Sequence, residues 1–236
     1  MAGKKIKKTK ISEPGSILAH QLKNPISVLN GYLEMLISEE LGELNDKQKE
    51  YLSDAIENVK AMSRTVNDLL SVSKIEEGHY KLKPKSVQLA KVAQDVIDEL
   101  LLWIKASNVE VDFKKPEEKL KAFVDPIKIR YVIENIISNS VRYKGPGTGH
   151  TEIKIEEKDG EVLFSCKDKG IGIPEREANK MFSKYYRSED AVNLYPAGTG
   201  LGLYISKAII ELSDGKIWFE NNKGKGMTFY FTLPAA

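Results

Sequence analysis

The sequence predicts a multidomain α+β chain: a helical hairpin that pairs with a second copy as a dimeric four-helix bundle, followed by a two-layer α/β sandwich. Three observations carry this. Apolar residues recur at helical spacing through the first third of the chain, a Gly/Pro break follows at Glu76–Pro84, and helical and strand-like stretches alternate beyond it.

In the first helix, apolar residues fall at Leu22, Ile26, Leu29, Leu33 and Leu36, a 4-3-4-3 spacing. "LGELND" then breaks the period, with Asn45 as N-cap and Gln48 three residues on, the pattern of a capping box. The second helix runs through Leu52, Ala55, Val59, Met62, Val66 and Leu69. Two such seams joined by a short loop make an antiparallel pair, and a lone pair buries too little surface, so a homodimer through the hairpin is the economical solution. The seams by themselves fit a structural coiled-coil dimer equally well.

The expected organisation is a basic tail or linker over 1–10, the hairpin over 11–78, and a mixed domain over 84–236. In the mixed domain, helices are expected at Leu89–Ala106, Pro126–Tyr143 and Gly200–Leu212. Strands are expected at "VEVDF", "KAFVD", "TEIKIEE", "EVLFSCKD", "GKIWFE" and "MTFYFTL", the last four as adjacent hairpin pairs. Helices grouped against a mostly antiparallel sheet give the two-layer sandwich.

Composition narrows the function classes. The 236 residues are 41% hydrophobic and 30% charged, as in ordinary globular proteins. No apolar run approaches the roughly 20 residues of a membrane span, and no signal-peptide pattern opens the chain. With 36 basic and 34 acidic residues, bulk charge gives no argument for a nucleic-acid partner. The basic start, Lys4–Lys10, reads as a solvated terminus, with a juxtamembrane or linker remnant as the alternative. The single cysteine, Cys166, alternates with Val162 and Phe164 and reads as core in a reducing compartment.

Three features of the mixed domain suit a nucleotide. In "DKGIGIP", a carboxylate at a strand end, Asp168, can accept from the exocyclic amine of adenine, while Gly170 and Gly172 let backbone approach the base. In "ENIISNSVRY", Asn135 and Asn139 are four apart on one helix face and offer amide oxygens of the kind Mg²⁺ accepts. In "GTGLGLYISKAII", Gly198, Gly200 and Gly202 open an amphipathic helix whose amides suit phosphate. A dinucleotide-binding unit is the rival, but the spacing is GxGxG and no buried strand precedes it. The segment from Pro174 to Ala197 reads as a mobile lid.

The Asn-bearing helix, DxGxG and GxGxGL, in that order, resemble bacterial sensor histidine kinases, with "HQLKNPI" as the phosphoacceptor box. The mixed domain resembles the ATP-binding (Bergerat) fold shared with the gyrase, Hsp90 and MutL ATPases. The resemblance implies ATP and Mg²⁺ as cofactors, with Asn139 as metal ligand and Asn135 lining the site. It places Arg142 as a phosphate contact, Tyr143 against adenine, and Asp168, Gly170 and Gly172 around the base. "MFSKYYRS" is similar to the family's phenylalanine box, with Phe182 a lid anchor and Arg187 a γ-phosphate contact. Gly198, Thr199, Gly200, Leu201 and Gly202 would let the lid close on the triphosphate.

His20 is the implied acceptor. At ~100° per residue it lies about 200° from Leu18 and Leu22, off their seam, and an imidazole near pKa ~6.5 is largely neutral and nucleophilic at pH 7. His79 and His150 lie in turns and read as solvent-facing. Pro25 removes a helical hydrogen bond near Gln21 and follows the acceptor by five positions, as in the family. Asn24 occupies the place of a residue that helps position water for the reverse, phosphatase reaction. One position departs from the family pattern: Gln21 stands where Glu or Asp is common. An amide can fix the ring tautomer but cannot take its proton, so slower autophosphorylation is expected.

The implied partner is the receiver domain of a response regulator, and the implied location is cytoplasmic. Only 19 residues precede His20, so any membrane anchoring is expected through a sensor region outside this chain. Two rivals are a weak kinase acting mainly as a phosphatase scaffold and another ATPase or protein-serine kinase of the same nucleotide fold.

Overall fold

The computed structural model describes residues 13–116, 120–222 and 226–236, with the side chains of 13–18 and 20 outside the description. The basic tail over 1–10 therefore lies outside the described residues, as does the side chain of His20. The chain divides into two compact units, Met1–Tyr80 and Lys81–Ala236.

The first unit is a helical hairpin of α1 (Glu13–Ile37) and α2 (Asp46–Glu76). Asn45 accepts from the Gln48 amide at 2.9 Å while the Gln48 side chain accepts from the Asn45 amide at 2.9 Å, so the expected capping box closes. The two helices bury Ala19, Ile26, Val59 and Val66, with Leu33 and Leu70 packed alongside. The α1 seam is not one face but two. Ile26 and Leu33 turn toward α2, whereas Leu22, Leu29 and Leu36 stay 39–49% exposed, as do Met62 and Leu69 on α2 at 45% and 36%. An antiparallel pair touches along one stripe per helix, so a seven-residue repeat carrying two apolar positions shows one to its partner and leaves the other open. Pro25 lies inside α1 without ending it.

The second unit packs a five-stranded sheet against a layer of helices. Its elements are β1 (Lys85–Gln88), α3 (Leu89–Ala106), β2 (Val109–Lys114), β3 (Lys121–Val124), α4 (Pro126–Arg142), β4 (Gly149–Lys158) and β5 (Glu161–Asp168). A 3-10 turn (Glu175–Lys180), α5 (Glu189–Leu194), α6 (Gly202–Glu211), β6 (Lys216–Asn221) and β7 (Met227–Pro234) complete it. The strand order is β2-β4-β5-β7-β6, with α3, α4 and α6 as the other layer. Within this sheet β2 and β4 run parallel, with β3 and α4 between them in the chain, while β4–β5 and β6–β7 are the expected antiparallel hairpins.

Alternation on β4 (Thr151, Ile153 and Ile155 buried) sends one face into the helix layer. There Phe164 and Phe231, register partners across β5 and β7, stack at 4.7 Å between centroids. Cys166 is buried in this core, and desolvation pushes its thiol pKa up, so it packs as a small hydrophobe. Four residues, "KSVQ", were too short for a period to reveal as β1; it forms because β3 supplies its partner. The buried Asp125 ties that corner together. Its carboxylate caps α4 through the amides of Ile127 and Lys128 and also accepts from Lys83 at 2.8 Å.

Candidate functional site

The core positions a turn at the end of β5. Desolvation of buried Asp168 raises its pKa, opposed by backbone donors Gly170 and Met227, which reach Oδ1 at 2.8 and 3.2 Å. Two donors on one oxygen leave Oδ2 as the carboxylate atom with lone pairs to offer. At Gly170 the protein's own backbone already comes close: a Cβ there would lie 2.4 Å from the Tyr143 carbonyl. Gly172 has φ +69°, the left-handed region that glycine enters freely.

This turn is stitched to the end of α4: Ile171 N donates to the Tyr143 carbonyl at 3.0 Å, and Lys144 bridges Gly170. Further up α4, Asn135 Nδ2 donates to Ser206 Oγ on α6 at 3.0 Å, so this amide joins two helices. Asn139, one turn on, is half-buried. Arg142 donates to Ser138 Oγ at 3.3 Å and lies between two rings, 5.7 Å from the Trp103 centroid and 5.1 Å from that of Tyr195. Those three residues, with Val141, Ile171 and Leu194, line a cleft of about 670 Å³; Asp168 and Asn139 are not among its walls.

The segment read as a lid is not featureless, since it holds the 3-10 turn and α5, which six-residue lengths hid from a period search. Phe182, expected as an anchor, lies 6.1 Å from Phe219 between ring centroids, with the Lys207 ammonium over its ring at 5.9 Å. Arg187, expected to face phosphate, is turned inward. Its guanidinium donates to the carbonyls of Ala191, Tyr195, Pro196 and Gly198. A Cβ at Gly198 would lie 3.0 Å from that guanidinium, and one at Gly200 (φ +68°) 2.7 Å from the Tyr185 backbone. Thr199 Oγ1 accepts from the Leu201 amide at 3.3 Å, Leu201 is buried, and Gly202 begins α6 against Asn135.

Two contact groups hold the expected residues here: Asn135 with Gly202, and Tyr143 with Gly170 and Asp168; elsewhere Arg187 meets Gly198 and Gly200 meets Tyr185. Gln21 and Asn24 are exposed on α1, in the other unit. Sequence reasoning missed Asn221 and Asn222, which grip the Asp168–Ile173 turn. It also missed Tyr195 over Arg142. Neither lies in a spacing pattern.

A two-layer nucleotide domain joined to a helical hairpin defines the class, a two-module ATP-using chain. Residues 16–78 match the His Kinase A (phospho-acceptor) domain, and 124–236 match the histidine kinase-, DNA gyrase B- and HSP90-like ATPase. The chain is 35% identical over 219 residues to sensor histidine kinase WalK of Bacillus subtilis, covering 92% of this chain and 35% of that protein. It is 31% identical over 220 residues to sensor protein kinase WalK of Staphylococcus epidermidis, with the same coverage. Among solved structures, the catalytic domain of histidine kinase ThkA matches at TM-score 0.57 and 29% identity, over 64% of this chain and 97% of that one. Full-length ShkA in complex with AMPPNP matches at TM-score 0.73 and 22% identity, over 95% of this chain and 46% of that one, a likeness of fold. The chain belongs to the histidine kinases and is a sensor histidine kinase catalytic core, spanning about a third of the length of these WalK relatives.

Proposed function

We propose that the chain is an ATP-dependent protein-histidine kinase that phosphorylates His20 and passes the phosphoryl group to an aspartate on a response-regulator receiver domain. Dephosphorylation of that regulator, with Asn24 helping to position water, is its second activity. The observation that carries the reading is Asp168: a buried carboxylate at the end of β5, held by two backbone donors in a domain of the ATPase family that shares one chain with a phosphoacceptor hairpin.

In this reading a ring nitrogen of His20 attacks the γ-phosphorus of ATP. The nitrogen–phosphorus bond forms, the bond to the β–γ bridging oxygen breaks, and ADP leaves. The ring proton passes to water, because the Gln21 amide orients the imidazole without accepting a proton. Asp168 Oδ2 accepts from the adenine amine, and Tyr143 packs on the base. Mg²⁺ would rest on the Asn139 amide oxygen, phosphate oxygens and water. That donor set fits the ion, which supplies charge neutralisation at the β/γ-phosphates when bound. Arg142 and Arg187 would reach phosphate after leaving their present partners, the aromatic pair and the lid carbonyls.

The open stripe of Leu22, Leu29, Leu36, Met62 and Leu69 supports a homodimer, whose second copy covers it. Among the described residues no helix is long and apolar enough to cross a membrane. We place the core in the cytoplasm, with any membrane contact made by a sensor region outside this chain. Gln21 favours a second reading, a weak kinase that acts mainly as phosphatase. Labelling with γ-³²P-ATP decides: wild type gains label while His20→Ala and Asn139→Ala do not. Label retained by His20→Ala contradicts the acceptor assignment.

A further inference from the structure

We propose that Asn221 and Asn222 are positioning residues that clamp both ends of the Asp168–Ile173 turn and set the carboxylate that reads adenine. The inference rests on the kinase reading above for its ligand, but the clamp stands on geometry of its own.

Asn221, the last residue of β6, pairs with the Ile173 backbone at two points. Its Oδ1 accepts from Ile173 N at 3.3 Å, and its Nδ2 donates to the Ile173 carbonyl at 2.9 Å. A side-chain amide used in this way satisfies a turn residue as a neighbouring strand would. Asn222 holds the other end. Its Nδ2 donates to the Asp168 carbonyl at 2.9 Å, while its Oδ1 accepts from Thr228 Oγ1 at 2.7 Å, which fixes the amide's orientation. The Asn222 amide closes back on the Gly226 carbonyl at 3.0 Å, and Gly226 takes φ +88°. A Cβ at Gly226 would lie 2.2 Å from the Asp168 carbonyl oxygen, so only glycine lets β7 run this close. The next residue, Met227, then donates to Asp168 Oδ1 at 3.2 Å. Asp168 is thus held through its carbonyl by Asn222 and through Oδ1 by the first residue of β7.

The consequence is one of selectivity. A turn free to tilt moves Oδ2 relative to the adenine amine, and a hydrogen bond weakens steeply with misalignment. Guanine has no amine at that edge, so its binding gains nothing from the clamp.

The test uses the whole chain carrying Asn221→Leu, near in size but without amide, or Asn222→Ala, with Asn221→Asp keeping only the acceptor. Amide hydrogen exchange without nucleotide reads the clamp directly. Asn221→Leu should speed exchange at Ile173 about tenfold or more, the loss of roughly one hydrogen bond, and Asn221→Asp should fall between. Calorimetry with ATP and GTP reads selectivity: ATP affinity should fall about tenfold in either amide-loss variant while GTP affinity moves little. A variant that melts earlier yet keeps the wild-type ATP-to-GTP ratio and Ile173 exchange would overturn the proposal in favour of a merely structural role. Wild type that binds no ATP would overturn the nucleotide reading and the selectivity claim, and the exchange result would still decide the clamp.

Discussion

Gly202, the first residue of α6, stands so close to Asn135 on α4 that a Cβ there would lie 2.4 Å from Asn135 Oδ1. With Asn135 Nδ2 bonded to Ser206, the helix bearing the asparagines and the helix below the lid are seated on one amide. Gly202→Ala should therefore displace Asn135 and raise the ATP KM about tenfold, through misplacement by a fraction of an ångström. Adding Asn135→Ser, which shortens the obstructing side chain, should recover part of the thermal stability lost. Equal melting temperatures for Gly202→Ala and wild type would show that the contact yields freely.

If Asp168 is the adenine acceptor of the proposed function, ATP binding should depend on acidity. Burial raises its pKa above the ordinary 3.8, so the folded state holds this proton more tightly than the unfolded chain does. The ionised acceptor is present above the raised value and is lost as pH falls through it, before a free aspartate would protonate. ATP affinity measured by calorimetry on descending pH should start to fall above the usual aspartate range, while folding stability gains in that same window. Asp168→Asn, which offers one acceptor and one donor, should bind ATP at least about tenfold more weakly and lose this pH dependence.

Arg187 is committed to four carbonyls of the lid it belongs to. Lysine carries the charge but cannot fan its donors across that cage. Arg187→Lys should make the 188–198 segment about tenfold more sensitive to limited proteolysis without nucleotide. Saturating ATP should protect the wild-type segment; unchanged cleavage rates would remove the cage from the account.

The hairpin's open stripe predicts assembly. Leu29, 48% exposed, is a leucine that a second copy should cover, and Leu29→Asp should place a charge in that contact. Sedimentation should show wild type as a dimer and the variant as a monomer at micromolar concentration. A dimeric variant would move the interface elsewhere.

Gln21 sets the expected rate. Gln21→Glu supplies a carboxylate that can stabilise a developing imidazolium, and the initial rate of label incorporation at saturating ATP should rise. An unchanged or lower rate contradicts the role given to this position.

Much of the architecture was legible because period and caps act locally. The bounds of β5 and α3 follow from alternation and helical spacing, and Asn45 with Gln48 announces α2. What stayed hidden depends on partners far along the chain. Four residues of β1 become a strand only beside β3, and the α1 seam divides only when α2 selects which leucines to bury. The candidate site shows the same split. Motif spacing marks Asp168, Asn139 and the glycines, but it cannot tell that Gly170 makes room for Tyr143 or that Arg187 faces its own loop. Asn221 and Asn222 reach across 48 and 54 residues, a distance at which no local pattern survives.

The most direct test of the central claim is the chemical identity and position of the phosphorylated residue. The chain is incubated with Mg²⁺ and γ-³²P-ATP, and its label is challenged with acid and with alkali before peptide mapping at neutral pH. The account predicts label that is lost in acid, survives alkali and maps to the peptide bearing His20. Acid-stable label, or label on any other peptide, would contradict it.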